Sequence, residues 1–127
     1  MAYSETLKDH LANPRNAGTL AGADAEAEQS NPVCGDRLRL ALRTGGGRVV
    51  AARFLAYGCP PTLACGSALA ELVEGMTLAE AALVTRERVE EAVGGLPARK
   101  RHAAALAVET LRAALQQCSP PSDNSDD

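Results

Sequence analysis

Four cysteines, two histidines and one well-placed aspartate are the side chains best suited to chemistry in this 127-residue chain. The cysteines are Cys34, Cys59, Cys65 and Cys118; the histidines are His10 and His102. Thiolates and imidazoles bind zinc and iron, and a carboxylate can complete such a set. Asp36 follows Cys34 by two residues, and Cys59 stands between Gly58 and Pro60-Pro61. Residues 1–15 contain no basic segment followed by an apolar core, and no run of about 18 apolar residues occurs that could span a membrane. We therefore expect a cytoplasmic protein with reduced thiols, in which grouped cysteines are more often metal-binding or reactive than bridged.

These side chains must be positioned by a small number of elements. Residues 3–12 read as a short helix ended by Asn13-Pro14, because the residue before proline avoids helical geometry. Residues 17–31 are rich in alanine, glycine and glutamate; they read as a mobile loop with room for one edge strand. In 37–43 the leucines at 38, 40 and 42 alternate with arginines, the period of a half-buried strand. Thr44-Gly45-Gly46-Gly47 reads as a turn. Residues 48–57 then form a second strand with Val50, Ala52, Phe54 and Ala56 on one face.

After residue 60 the pattern is helical. Pro60-Pro61 suits a helix start, Leu69, Leu72 and Val73 form a buried stripe, and Gly75 suits the end. Thr77 with Glu80 is a capping box for a helix at 78–84, and Thr85 caps another at 86–93, stopped by Gly94-Gly95. Pro97 opens a long helix to about Gln117 with Ala104, Val108, Leu111 and Leu115 on its apolar stripe. The class is α+β: a small antiparallel sheet of about three strands packed against several helices, with a long C-terminal helix. One domain at 1–118 is expected, followed by a disordered acidic tail at 119–127.

Pairing Arg43 with Arg48 across the turn puts Cys34 opposite Tyr57, with Cys59 two residues further on. Both cysteines then leave the same open end of the hairpin, roughly 5–10 Å apart, with Asp36 beside them. Cys59 also precedes a helix, whose N-terminal dipole favours thiolate. Two thiols and a carboxylate at one edge make a metal-site geometry, and two neighbouring structural cysteines are the alternative. Cys65 shares the stripe of Leu69, Leu72 and Val73 and reads as a small core residue, with a ligand role as the alternative. Cys118 lies about 24 Å along the last helix from His102 at ~1.5 Å per residue, too far to share a site with it. His102 and His10 each read as surface or satisfied histidines. A Cys/Cys/Asp/His set suits zinc or iron, but spacing alone does not assemble it.

Composition excludes several functions. Only Tyr3, Phe54 and Tyr57 are aromatic, too few for a stacking platform for nucleic acid. The net charge of −3 belongs to Asp123, Asp126 and Asp127; without them acids and bases are equal in number, so no basic field holds a phosphate backbone. There is no Ser/His/Asp set, no phosphate-cradling glycine motif before a helix and no paired carboxylates, so no standalone enzyme is expected.

The ordered motifs resemble one family. Tyr3-Ser4-Glu5, Asp9-His10 and Asn13-Pro14-Arg15-Asn16-Ala17-Gly18, then Asn31-Pro32-Val33-Cys34-Gly35-Asp36, then Tyr57-Gly58-Cys59, then Glu74-Gly75-Met76-Thr77-Leu78, and last Leu96-Pro97 through His102, are similar to the U-type iron–sulfur cluster assembly scaffolds, the IscU and NifU N-terminal-domain family. The resemblance runs over about 2–117. It implies a small antiparallel sheet with helices, and a protein that combines sulfur from a cysteine desulfurase with iron. Such a protein holds a labile [2Fe–2S] cluster and passes it to apo-proteins. By this resemblance the ligands are Cys34, Asp36, Cys59 and His102.

Three departures stand beside it. His102-Ala103 replaces the family's His-Cys, so the third cysteine is missing, and alanine neither accepts sulfur nor binds iron. Pro60-Pro61 replaces Gly-Ser and stiffens the loop. Leu96-Pro97-Ala98-Arg99-Lys100 only partly resembles the segment offered to an Hsp70-type chaperone, which leaves that partner doubtful.

Three readings follow. The first is a scaffold working with Cys34, Cys59, Asp36 and His102, which supply the four ligands a [2Fe–2S] cluster needs, with Cys65 as a substitute third thiolate if its helix starts late. The second is a zinc-bound or metal-free relative that acts as a partner-binding module. The third is a thiol redox protein using Cys59 and Cys65, whose C-x₅-C spacing is not the C-x-x-C of such proteins.

Overall fold

The computed structural model describes residues 3–32 and 35–118. The expected tail at 119–127, like Cys34, lies outside the described residues. Five helices and three strands follow in the order α1 (Glu5–Ala12), β1 (Ala25–Asn31), β2 (Asp36–Gly45), β3 (Arg48–Tyr57), α2 (Pro60–Val73), α3 (Leu78–Ala82), α4 (Arg86–Ala92) and α5 (His102–Gln117). A 3₁₀ turn at Ala98–Lys100 precedes α5. The sheet is antiparallel with β2 in the centre, so the class is α+β as expected. The 17–31 stretch supplies the edge strand β1.

The alternation in β2 decides which face is buried. Leu38, Leu40 and Leu42 are shut off from solvent, whereas Arg37, Arg39 and Arg43 are exposed. Helices α2 and α5 cover the leucine face, α5 across β1 and β2 and α2 across β3. A one-residue slip would expose all three leucines, at about 1.5–3 kcal/mol each, so the core holds the register.

That register differs from the one expected. Arg37, not Cys34, stands opposite Tyr57, with its guanidinium 4.9 Å over the Tyr57 ring. The turn is shorter than four residues: Gly45 pairs with Arg48, and Gly46 and Gly47 take positive φ of 61° and 77°. This is the geometry that closes a two-residue hairpin in step with strand twist. The register then shifts between Arg43 and Thr44, which pair with Ala51 and Val49 and leave Val50 as a bulge. The bulge exposes Val50 (52 %) and buries Val49 (0 %), which corrects the expectation that Val50 lies with Ala52 and Phe54. Beyond it Leu38, Leu40 and Leu42 face Ala56, Phe54 and Ala52. The register expected from the sequence would have set Leu38 against Arg53, so apolar cross-strand pairing selects the observed one.

The helical half follows its local signals. Cys59 caps α2 and prolines occupy its first turn. The Thr77–Glu80 capping box and the Thr85 cap are both formed, although α3 ends at Ala82 and α4 at Ala92. The last helix departs from expectation at its start. Lys100 N–H reaches Pro97 O at 2.8 Å and Arg101 N–H reaches Ala98 O at 3.3 Å, the tighter bonding of a 3₁₀ turn. The helix therefore begins at His102, its first residue, rather than at Pro97.

Candidate metal centre

The centre is assembled at three element ends: the start of β2, the junction of β3 with α2, and the start of α5. Asp36 opens β2 and its side chain is buried (1 %). A buried carboxylate must be bonded, and this one is. Its Oδ1 accepts the backbone N–H of Cys59 at 3.0 Å, and its Oδ2 lies 3.0 Å from His102 Nε2 and 3.7 Å from Cys59 Sγ. Burial works to raise its pKa. The Cys59 amide, then His102 and then the Thr62 hydroxyl outweigh burial and hold the carboxyl below its ordinary value. An ionised carboxylate only accepts, so the shared hydrogen of the His102–Asp36 contact sits on Nε2.

Gly58 makes this approach possible. A Cβ at that position would stand 2.0 Å from Asp36 Oδ1, and its φ of 134° is one that side chains rarely adopt. The turn into α2 thus delivers the Cys59 amide and sulfur onto Asp36 together.

One ligand atom from each of Asp36, Cys59 and His102 lies within 4.8 Å of the others. A thiol, an imidazole and a carboxylate at this separation fit a tetrahedral zinc or iron centre. The sequence named all three, and the fold brings them together. Cys34, named with them, falls outside the described residues. Cys65 does not join them. Helix α2 starts at Pro60 rather than late, and Cys65 is fully buried on its inner face. Burial first, with Cys59 nearby second, pushes its thiol up to about 12, so it stays protonated at neutral pH. Ala103 is likewise shut inside the core. Cys118 closes the far end of α5. His10 is buried and bonded through Nδ1 to Ser67 Oγ at 2.7 Å, a satisfied histidine that ties α1 to α2.

Sequence reasoning missed Thr62. It is fully buried, and its Oγ1 stands 3.4 Å from Cys59 Sγ. The available signal was its position three residues after Cys59 at a helix start, which places both side chains on one face.

The fold and the site define a small α+β domain whose Asp36, Cys59 and His102 could hold a metal ion, and comparison with known proteins identifies its kind. Residues 2–120 match the NifU-like N terminal domain, and the chain belongs to that family. It is 53% identical over 107 residues to "Nitrogen fixation protein NifU" of Cereibacter sphaeroides, which covers 84% of this chain and 44% of that protein. It therefore spans less than half of that relative's length. It is 35% identical over 120 residues to "Iron-sulfur cluster assembly scaffold protein IscU" of Azotobacter vinelandii, covering 91% of this chain and 93% of that one. The crystal structure of a nitrogen-fixing NifU-like protein (N-terminal) from Brucella abortus shares the fold. Its TM-score is 0.74 at 18% identity, covering 96% of this chain and 95% of that one.

Proposed function

We propose that this chain is a scaffold on which an iron–sulfur cluster is assembled and from which it is passed to acceptor proteins. The observation that carries this reading is the meeting of Asp36, Cys59 and His102 within 4.8 Å in a chain of this family. Cys34 is the proposed fourth donor. Together they supply the four protein ligands that a [2Fe–2S] cluster takes. The cluster is cargo, so the site must hold it and also let it go. One carboxylate and one imidazole among the donors give iron a weaker hold than four thiolates would, which suits transfer.

Each residue has a defined task. Cys59 offers sulfur at the start of α2. Asp36 is oriented by the Cys59 amide, so sulfur and carboxylate oxygen arrive as a unit. His102 would supply nitrogen from Nε2, its hydrogen leaving as a proton or moving to Nδ1 so that the bond to Asp36 is given up. By family resemblance a cysteine desulfurase supplies sulfur, and apo iron–sulfur proteins receive the product. The Hsp70-type chaperone is left out of this proposal. The protein is placed in the cytoplasm, where thiols stay reduced. Among the described residues no helix is long and apolar enough to cross a membrane. The folded unit is proposed to be 1–118 with an acidic tail beyond it.

The test is anaerobic reconstitution with ferrous iron and sulfide, followed by mixing with an apo-ferredoxin. Visible charge-transfer bands that move from this chain to the acceptor are expected. A chain that develops no such bands, with its thiols shown to be reduced, would overturn the reading.

A further inference from the structure

We propose that Thr62 is a positioning residue of this site, whose hydroxyl donates its single hydrogen to the Cys59 sulfur when that sulfur holds a metal. This rests on the metal-holding reading above. It begins from a contrast between two buried threonines in helices. Thr62 and Thr110 are both fully shut off from solvent. Thr110 does what a helical threonine ordinarily does, donating to the carbonyl one turn back, Leu106 O, at 2.8 Å. Thr62 does not. Its hydroxyl is turned to the site, 3.4 Å from Cys59 Sγ, a contact in which either atom can donate.

The helix start explains why. An N-cap side chain usually accepts an amide hydrogen from the first turn. Cys59 is the N-cap of α2, yet its sulfur makes no such bond, and Thr62 N–H goes to the Cys59 carbonyl at 3.0 Å instead. The sulfur is thus free to face the site, with the Thr62 hydroxyl alongside it. Pro60 and Pro61 lock φ in the two intervening residues, so the backbone between Cys59 and Thr62 is stiff. In the metal-free site either the Cys59 thiol or the Thr62 hydroxyl donates across this contact. A metal-bound thiolate is acceptor-only, and the hydroxyl then donates to the sulfur. Such a bond draws electron density from the sulfur, weakening its donation to the metal.

Cobalt(II), added anaerobically, is the probe, because its sulfur-to-metal charge-transfer band reports electron density on sulfur. Thr62→Val keeps the shape and removes the hydroxyl. Its band is expected to move to lower energy, and its release of cobalt to a chelator to slow several-fold. Thr62→Ser keeps the hydroxyl and the wild-type band. Thr62→Ser and Thr62→Ala differ by one oxygen, so their contrast decides the matter even where the valine variant fails to fold. Valine and alanine variants that bind cobalt with the wild-type band and release rate would overturn the role of Thr62 alone. A wild-type chain that gives no cobalt band at all would overturn the metal-holding reading, and this inference with it.

Discussion

His102 Nε2 and Asp36 Oδ2 lie 3.0 Å apart across 66 residues of chain. The contact joins the first residue of the long C-terminal helix to the first residue of the central strand. It is the longest-range pairing of the site, since the third member, Cys59, reaches Asp36 across 23 residues through the β2–β3 hairpin and the turn at Gly58.

Replacing Asp36 tests how far that carboxylate organises the site. Asp36→Asn keeps the size but puts an amide nitrogen where an acceptor oxygen was. Turned one way the new amide nitrogen opposes the Cys59 amide, donor to donor; turned the other it faces His102, which must change tautomer to accept it. An unpaired buried polar group costs about 1–3 kcal/mol, so urea denaturation is expected to show a loss of that size. An unchanged midpoint would mean that the carboxylate does not hold these groups.

Gly58→Ala tests the close approach. The added methyl would stand 2.0 Å from Asp36 Oδ1 at a φ of 134°. Backbone strain of this kind costs about 1–3 kcal/mol, and the displaced Cys59 is expected to weaken cobalt binding at least tenfold. Isothermal titration reads the second effect separately from the first. An alanine variant that binds as wild type would show that the turn has room to spare.

The four cysteines are expected to separate in function. Cys34→Ala and Cys59→Ala each abolish metal binding, and Cys118→Ala leaves it unchanged. Cys65→Ser keeps metal binding but buries a hydroxyl in an apolar setting, at about 1–3 kcal/mol in stability. Metal content after anaerobic purification and urea midpoints check the set. Strong metal loss in Cys118→Ala would contradict its place at the far end of α5.

His10 predicts a pH dependence of stability away from the metal centre. Burial first, then the nearby Arg15 charge, holds its imidazole below its ordinary pKa. The unfolded chain therefore binds a proton more readily than the folded one. Stability is full above the unfolded value of about 6.5 and falls as pH drops through it toward the lower folded value. Urea midpoints of the metal-free chain are expected to fall between pH 7 and 5.5, and to fall less in His10→Gln. Equal pH slopes in the two proteins would show that His10 is not the group responsible.

Much of this protein was legible from local pattern. Alternation at Leu38, Leu40 and Leu42 marked a half-buried strand, and the Thr77–Glu80 box marked a helix start, because both signals involve neighbours a few residues apart. Cys65 read as a core residue for the same reason: its stripe partners lie on its own helix. Where competing local signals had to be ranked, the reading erred. Four candidate turn residues hid a two-residue turn, and no local signal announced the bulge at Val50. Proline at 97 also suggested a helix start that a 3₁₀ turn takes instead.

The sequence by itself determined the class of fold, the buried face of β2 and of the main helices, and which residue types could form a metal centre. Only the tertiary structure decided that Asp36, Cys59 and His102 meet and that Thr62 turns its hydroxyl toward them. Periodicity and capping are written in a few consecutive residues. A contact across 66 residues depends on strand register, on the turn at Gly58 and on where α5 begins. Those are settled by packing the leucine face of β2 beneath α2 and α5, a condition no short stretch of chain contains.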